Sequence, residues 1–274
     1  MKVLPASFLL LAFSLLVSPV LGQTSATATP PATSAASGTM APVAAPADKP
    51  KLVYLKPAFF DLASLKIVLG PFSAGDSLAT KLEIEHLLKL QGSRTPDQIA
   101  RVGSEVDLKP EAFATVIGPW FDTAKLPLTA ALLKKAAGDS KIAEDLVKTY
   151  YNRPRPPLVD PRIQPCVELP KNSPSYPSGH ALRGVLWSVI LSELAPDLRK
   201  PLLARGIQIG DDRIIAGVHF PSDVKAGRKL GHHIAKVLLT TPAFQKDLAL
   251  AKVEFTNVRL AASVDAAKGK PVKP

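Results

Sequence analysis

From residue 57 onward the apolar side chains recur at intervals of three and four, and no stretch longer than a few residues alternates apolar with polar. That spacing puts one apolar stripe on each helix, and a striped helix must bury its stripe against others. Helices are predicted over 58–68, 75–91, 96–105, 109–118, 127–137, 140–151, 180–194, 197–216, 221–239 and 241–255. Asp76 and Thr95-Pro96 read as helix starts, and Gly92 and Gly138 as stops. The expected class is all-α, a single-domain helical bundle. Its centre is placed in the most apolar helix, at Trp187 to Leu194. No internal repeat is visible.

The longest irregular stretch is 152–178, which holds eight prolines. Proline offers no amide donor and blocks helix interiors. A loop of this length inside a folded domain is either functional or disordered. Two clusters of polar residues, Lys148 to Arg155 and Ser178 to His180, stand at its ends, which favours function.

The ends of the chain read differently. Lys2 is followed by an apolar run from Val3 to Val17, then Ser18-Pro19 and Val20-Leu21-Gly22. This is the pattern of a secretory signal over 1–22, cleaved before Gln23. A retained anchor is the alternative, although the run is shorter than the roughly 20 residues of a spanning helix. Residues 23–50 are Ala, Thr, Ser and Pro with almost no charge, a flexible linker with nothing large to bury. The folded domain is expected over 51–274.

The formal charge is +11, but there is no long Lys/Arg run, zinc-finger spacing or aromatic-basic interleaving to suggest a nucleic-acid partner. A general attraction to anions is the modest inference. The chain has one cysteine, Cys166, so no internal disulfide is expected. No CxxC, HExxH or calcium-loop spacing occurs, and no metal or other cofactor is expected. His86, His232 and His233 read as surface or core residues.

Three segments within residues 148–223 carry the chemistry. They are Lys148-x6-Arg155-Pro156, Pro177-Ser178-Gly179-His180 and Arg213-x5-His219-x3-Asp223. Pro177 to His180 opens an apolar helix, whose unpaired first amides receive phosphate oxygens. Gly179 lets the backbone approach an anion, and Ser178 caps the helix or donates to phosphate. Asp223 can reach back to one ring nitrogen of His219, fixing its tautomer and freeing the other nitrogen to attack. Lys148, Arg155 and Arg213 supply cations for phosphoryl oxygens. Alone, each motif has a plainer reading: an N-cap, a structural His–Asp bond, or a solvated charge. Together they form a set for holding, attacking and releasing a phosphate.

These motifs resemble those of the type 2 phosphatidic acid phosphatase and vanadium haloperoxidase superfamily. Tyr54 to Phe255 is most similar to the bacterial class A nonspecific acid phosphatases. The added marks are Tyr54-Leu55-Lys56-Pro57, the run Lys171 to Tyr176 into Pro177, and Ser222-Asp223-Val224 followed by Ala226-Gly227-Arg228. The resemblance implies an all-α bundle of that kind and metal-independent hydrolysis of phosphate monoesters. It implies His219 as nucleophile, His180 as general acid and Asp223 as the group orienting His219. Lys148, Arg155, Arg213, Ser178 and Gly179 would bind phosphate. The expected partners are small phosphorylated metabolites, with no stable membrane insertion once the leader is removed. Self-association is left open, and the expected location is periplasmic or secreted.

Two departures qualify the resemblance. Asp212 stands where the family has serine, and it could pair with Arg213 or point away. Ala216 stands where close relatives carry a cysteine paired with one in the long loop, so Cys166 lacks that partner. The rival readings are a vanadate-dependent haloperoxidase, a membrane lipid phosphatase, and a non-catalytic phosphate-binding surface protein.

Overall fold

The computed structural model describes residues 52–73 and 75–269, and no strand occurs among them. The leader and linker expected over 1–50 lie outside the described residues. Ten α-helices follow in order: α1 Leu62–Leu69, α2 Leu78–Gly92, α3 Pro96–Ser104, α4 Ala114–Ile117, α5 Pro127–Tyr151, α6 Pro156–Val159, α7 Gly179–Leu194, α8 Arg199–Ile215, α9 Pro221–Leu239 and α10 Pro242–Ala267. The class is all-α, as the apolar spacing predicts.

Local chemistry sets several boundaries. Ser77, one residue after the expected Asp76, caps α2 by accepting from the Thr80 amide. Thr95 and Gln98 form a reciprocal capping box at α3. Asn152 ends α5 in the left-handed conformation, φ 41°. Gly138 does not stop a helix. α5 runs through it, because tertiary contacts override a propensity deficit of about 1 kcal/mol. The adjacent Asp139 is buried and accepts the amides of Val53, Tyr54 and Leu55 at 3.0, 2.7 and 2.8 Å. The last helix extends to Ala267, beyond the expected 255. The stretch expected as one helix over 109–118 is a 3-10 turn, Pro110–Phe113, followed by α4.

α7 is the core helix, packed against α8, α9, α5 and α10. Its Leu182, Leu186, Ile190 and Leu191 are fully buried. Each such side chain contributes roughly 1.5–3 kcal/mol. The neighbours approach to backbone distance. A β-carbon on Gly184 would lie 2.6 Å from the Gly206 carbonyl of α8, and one on Gly227 of α9 would lie 2.3 Å from the Ser178 carbonyl. Only glycine fits such contacts. Two smaller clusters anchor the proline-rich loop: Ile84, Leu87, Ile163 and Phe220, and Val102, Ala216 and Val218 against Cys166, Val167 and Leu169. None of the described helices is long and apolar enough to cross a membrane.

Candidate active site

The three motifs meet at the start of α7. His219 lies in the short connection from α8 to α9, where Gly217 takes a left-handed φ of 76° that turns the chain. Asp223 is the third residue of α9 and is fully buried. Its Oδ2 accepts the Phe220 amide at 2.8 Å, the Ser175 hydroxyl at 2.5 Å and His219 Nδ1 at 3.4 Å. Its Oδ1 accepts Arg153 Nη1 at 2.6 Å. Burial pushes Asp223 up, but the bonds and charges from His219, Arg153 and Ser175 prevail, and its carboxyl lies below the usual range.

Across the ring, Arg155 Nη1 stands 3.2 Å from His219 Nε2. A guanidinium can only donate, so Nε2 meets it with its lone pair and the ring proton sits on Nδ1, toward Asp223. Burial lowers the His219 pKa to about 3, Arg155 and Lys148 adding to the effect while Asp223 opposes it. The imidazole is therefore neutral, and Nε2 carries the lone pair that a nucleophile needs once Arg155 turns to a phosphate.

His180 is the second residue of α7, and its Nε2 contacts the Glu105 carbonyl at 2.9 Å. A carbonyl only accepts, so Nε2 carries the proton and Nδ1 is the nitrogen that changes protonation. Desolvation, then Arg213 and Arg183, hold His180 well below the ordinary imidazole value. The Glu105 carboxylate in turn is paired with buried Arg205.

The cations are buried rather than solvated. Desolvation pulls Lys148 down to about 8 and Arg155 to about 10. Lys148 donates to the Pro174 carbonyl, and Arg155 donates to the carbonyls of Ser173 and Val218, each at 2.9 Å. Arg213 is 2% exposed, yet its Nε and Nη1 have no hydrogen-bond partner. Asp212 does not take them. It forms a two-pronged pair with Arg101, at 2.9 and 2.7 Å. Ser178 caps α7 by accepting the Ala181 amide at 3.4 Å, and the first-turn amides of Gly179 and His180 have no acceptor within the helix.

The PAP2 superfamily pattern matches residues 127–247. A non-specific acid phosphatase of Salmonella typhimurium is 32% identical over 69% of this chain and 79% of its own length. This chain belongs to the PAP2 superfamily. An acid phosphatase of Zymomonas mobilis is 34% identical over 55% of this chain and 58% of its own. Among solved structures, a bacterial vanadium-dependent iodoperoxidase overlaps 61% of this chain and 50% of its own, with a TM-score of 0.47 at 20% identity.

The three motifs hold the eight candidate residues, and the structure gathers all eight around the start of α7. Sequence reasoning missed Arg153, Ser175 and Glu83. Arg153 binds Asp223 and Ser222 and reaches Glu83 Oε2 at 3.1 Å, with its guanidinium 3.9 Å over the Phe220 ring. Its signal was present as a second arginine in Arg153-Pro154-Arg155-Pro156. Glu83 gave none, since its partner Ser222 is 139 residues away. Cys166 is a free thiol, and its amide donates to the Ala216 carbonyl at 3.1 Å. His233 stacks on Phe59 at 5.3 Å.

Proposed function

We propose that this protein is an acid phosphatase that hydrolyses phosphate monoesters through a phosphohistidine. The observation that carries the reading is the buried Arg213, whose Nε and Nη1 donors have no protein acceptor and are available to an anion. A buried unpaired guanidinium is strongly unfavourable unless something answers it. Arg155, Lys148 and the first amides of α7 complete a cradle for the three equatorial oxygens.

His219 Nε2 attacks phosphorus in line as the ester P–O bond breaks, and His180 Nδ1 gives its proton to the departing oxygen. Water then attacks the phosphohistidine, its proton passes to His180, and orthophosphate leaves. Asp223 holds the His219 ring and stabilises the positive charge that forms on it. No group in this sequence of steps calls for a metal. The substrates are small phosphorylated metabolites, and the leader-like segment 1–22 supports export to the periplasm or beyond.

The test is p-nitrophenyl phosphate hydrolysis in the presence of EDTA, with His219→Ala alongside. Wild type turns over and traps labelled phosphate on protein quenched in alkaline denaturant, while the variant does neither and melts as wild type does. Wild-type turnover in His219→Ala overturns the assignment. Loss of activity in EDTA with recovery on zinc or magnesium overturns metal independence.

A further inference from the structure

Glu144 is an acid beside this cradle to which the mechanism gives no task. It lies on α5, four residues before Lys148, and is 5% exposed. Its carboxylate is pressed against the start of α7. A β-carbon on Gly179 would lie 2.3 Å from Oε1 and 2.6 Å from Oε2. Lys148 Nζ is 3.7 Å from Oε1 and Arg183 Nη1 is 3.8 Å from Oε2. Both distances exceed the 2.7–2.9 Å of a charge-assisted hydrogen bond. Oε2 has no hydrogen-bond partner at all.

A buried carboxylate oxygen without a donor is a poor stabilising device. Its surroundings are those of a bound anion: a helix N-terminus, a lysine and an arginine. The charged groups facing it are Lys148 on its own helix, Arg183 on α7 and, farther off, Arg155. It therefore offsets part of the positive field that a phosphate would otherwise meet.

We propose that Glu144 is a specificity-determining residue that makes the cradle discriminate by substrate charge, favouring the phosphate monoanion over the dianion. This rests on the phosphatase reading above. A monoester loses its second proton near pH 6, so the choice between the two forms falls within the working range. The carboxylate repels the dianion about twice as strongly as the monoanion, and in a desolvated site that difference is not screened by salt.

The test compares wild type with Glu144→Gln, which keeps the shape and removes the charge. Orthophosphate binding is measured by calorimetry, and KM for p-nitrophenyl phosphate by assay, at pH 7.5 and pH 5. The expected result is about tenfold tighter orthophosphate binding and a similarly lower KM at pH 7.5, with a smaller gap at pH 5. Asp145→Asn, at an exposed pair with Lys141, should match wild type. Unchanged or weaker binding in Glu144→Gln overturns the proposal and leaves Glu144 as a residue that positions Lys148. Should Glu144→Gln fold poorly, Glu144→Ala carries the same comparison. Calorimetry needs no turnover, so a wild type that binds orthophosphate but hydrolyses nothing refutes the phosphatase reading alone, and the binding comparison still decides the role of Glu144.

Discussion

Arg153 grips Asp223 from the side opposite His219: its Nη1 meets Oδ1 at 2.6 Å while Oδ2 faces the ring. The carboxylate that orients the nucleophile is thus itself held by a buried cation, and that cation is held by Glu83 and Ser222. Arg153→Met should lower kcat by about 100-fold, the penalty of a misplaced reacting group, with KM changed little. It should also destabilise the fold by roughly 3–5 kcal/mol, because Asp223 is left buried and under-paired. Steady-state kinetics below the melting point and a thermal melt check both parts.

His180→Ala separates acid catalysis from phosphate binding. With an alkyl phosphate it should lose on the order of 10²–10⁴-fold in kcat, the usual range for a general acid. With p-nitrophenyl phosphate the loss should be far smaller, because that oxygen leaves without a proton. Equal losses on the two substrates would show that His180 binds phosphate rather than donating.

The pH profile follows from the two histidines. His219 must be neutral to attack, and with its pKa at about 3 the acid limb of kcat/KM lies near pH 3. His180 must be protonated to donate, and its value in the free enzyme lies well below 6.5, so kcat/KM falls on the alkaline side from below pH 6.5. The optimum is therefore acidic. Lys148 loses its charge above about pH 8, which weakens phosphate binding further there. Stability has the opposite sign. Both histidines are depressed in the folded state, so their contribution is present above pH 6.5 and is lost as pH falls toward their folded values. Melts at pH 7.5 and 4.5 should show the lower pH less stable, and kcat/KM across pH 3–9 checks the profile.

Asp139→Ala tests how the segment at Tyr54 is held. Removing the carboxylate strips three amides of their acceptor, and Val53 to Leu55 have no local replacement. A loss of about 2–4 kcal/mol in a urea titration is expected, with Asp139→Asn intermediate. A change under 0.5 kcal/mol would mean that water replaces the carboxylate fully.

The helical class and the eight motif residues were legible because spacing and residue type carry them locally. What stayed hidden depends on pairing across the chain. Gly138 read as a stop since propensity is a local quantity, whereas the contacts of Asp139 that hold α5 straight through it join residues more than 80 apart. Asp212 was ambiguous until Arg101, 111 residues away, turned out to hold it. Glu144 and Lys148 have the spacing of an ordinary surface pair, and only burial against Gly179 gives the acid a different meaning.

The glycine contacts of α7 with α8 and α9 have a kinetic consequence. Helices that touch carbonyl to α-carbon cannot slide or roll without collision, so the amides at the start of α7 form a fixed anvil. Adjustment to an arriving phosphate is left to side-chain tips such as the part-exposed Arg183, which reorients in nanoseconds or faster rather than in the microseconds of helix displacement. Phosphate capture should then proceed in a single relaxation that grows linearly with ligand concentration, with no slow isomerisation behind it.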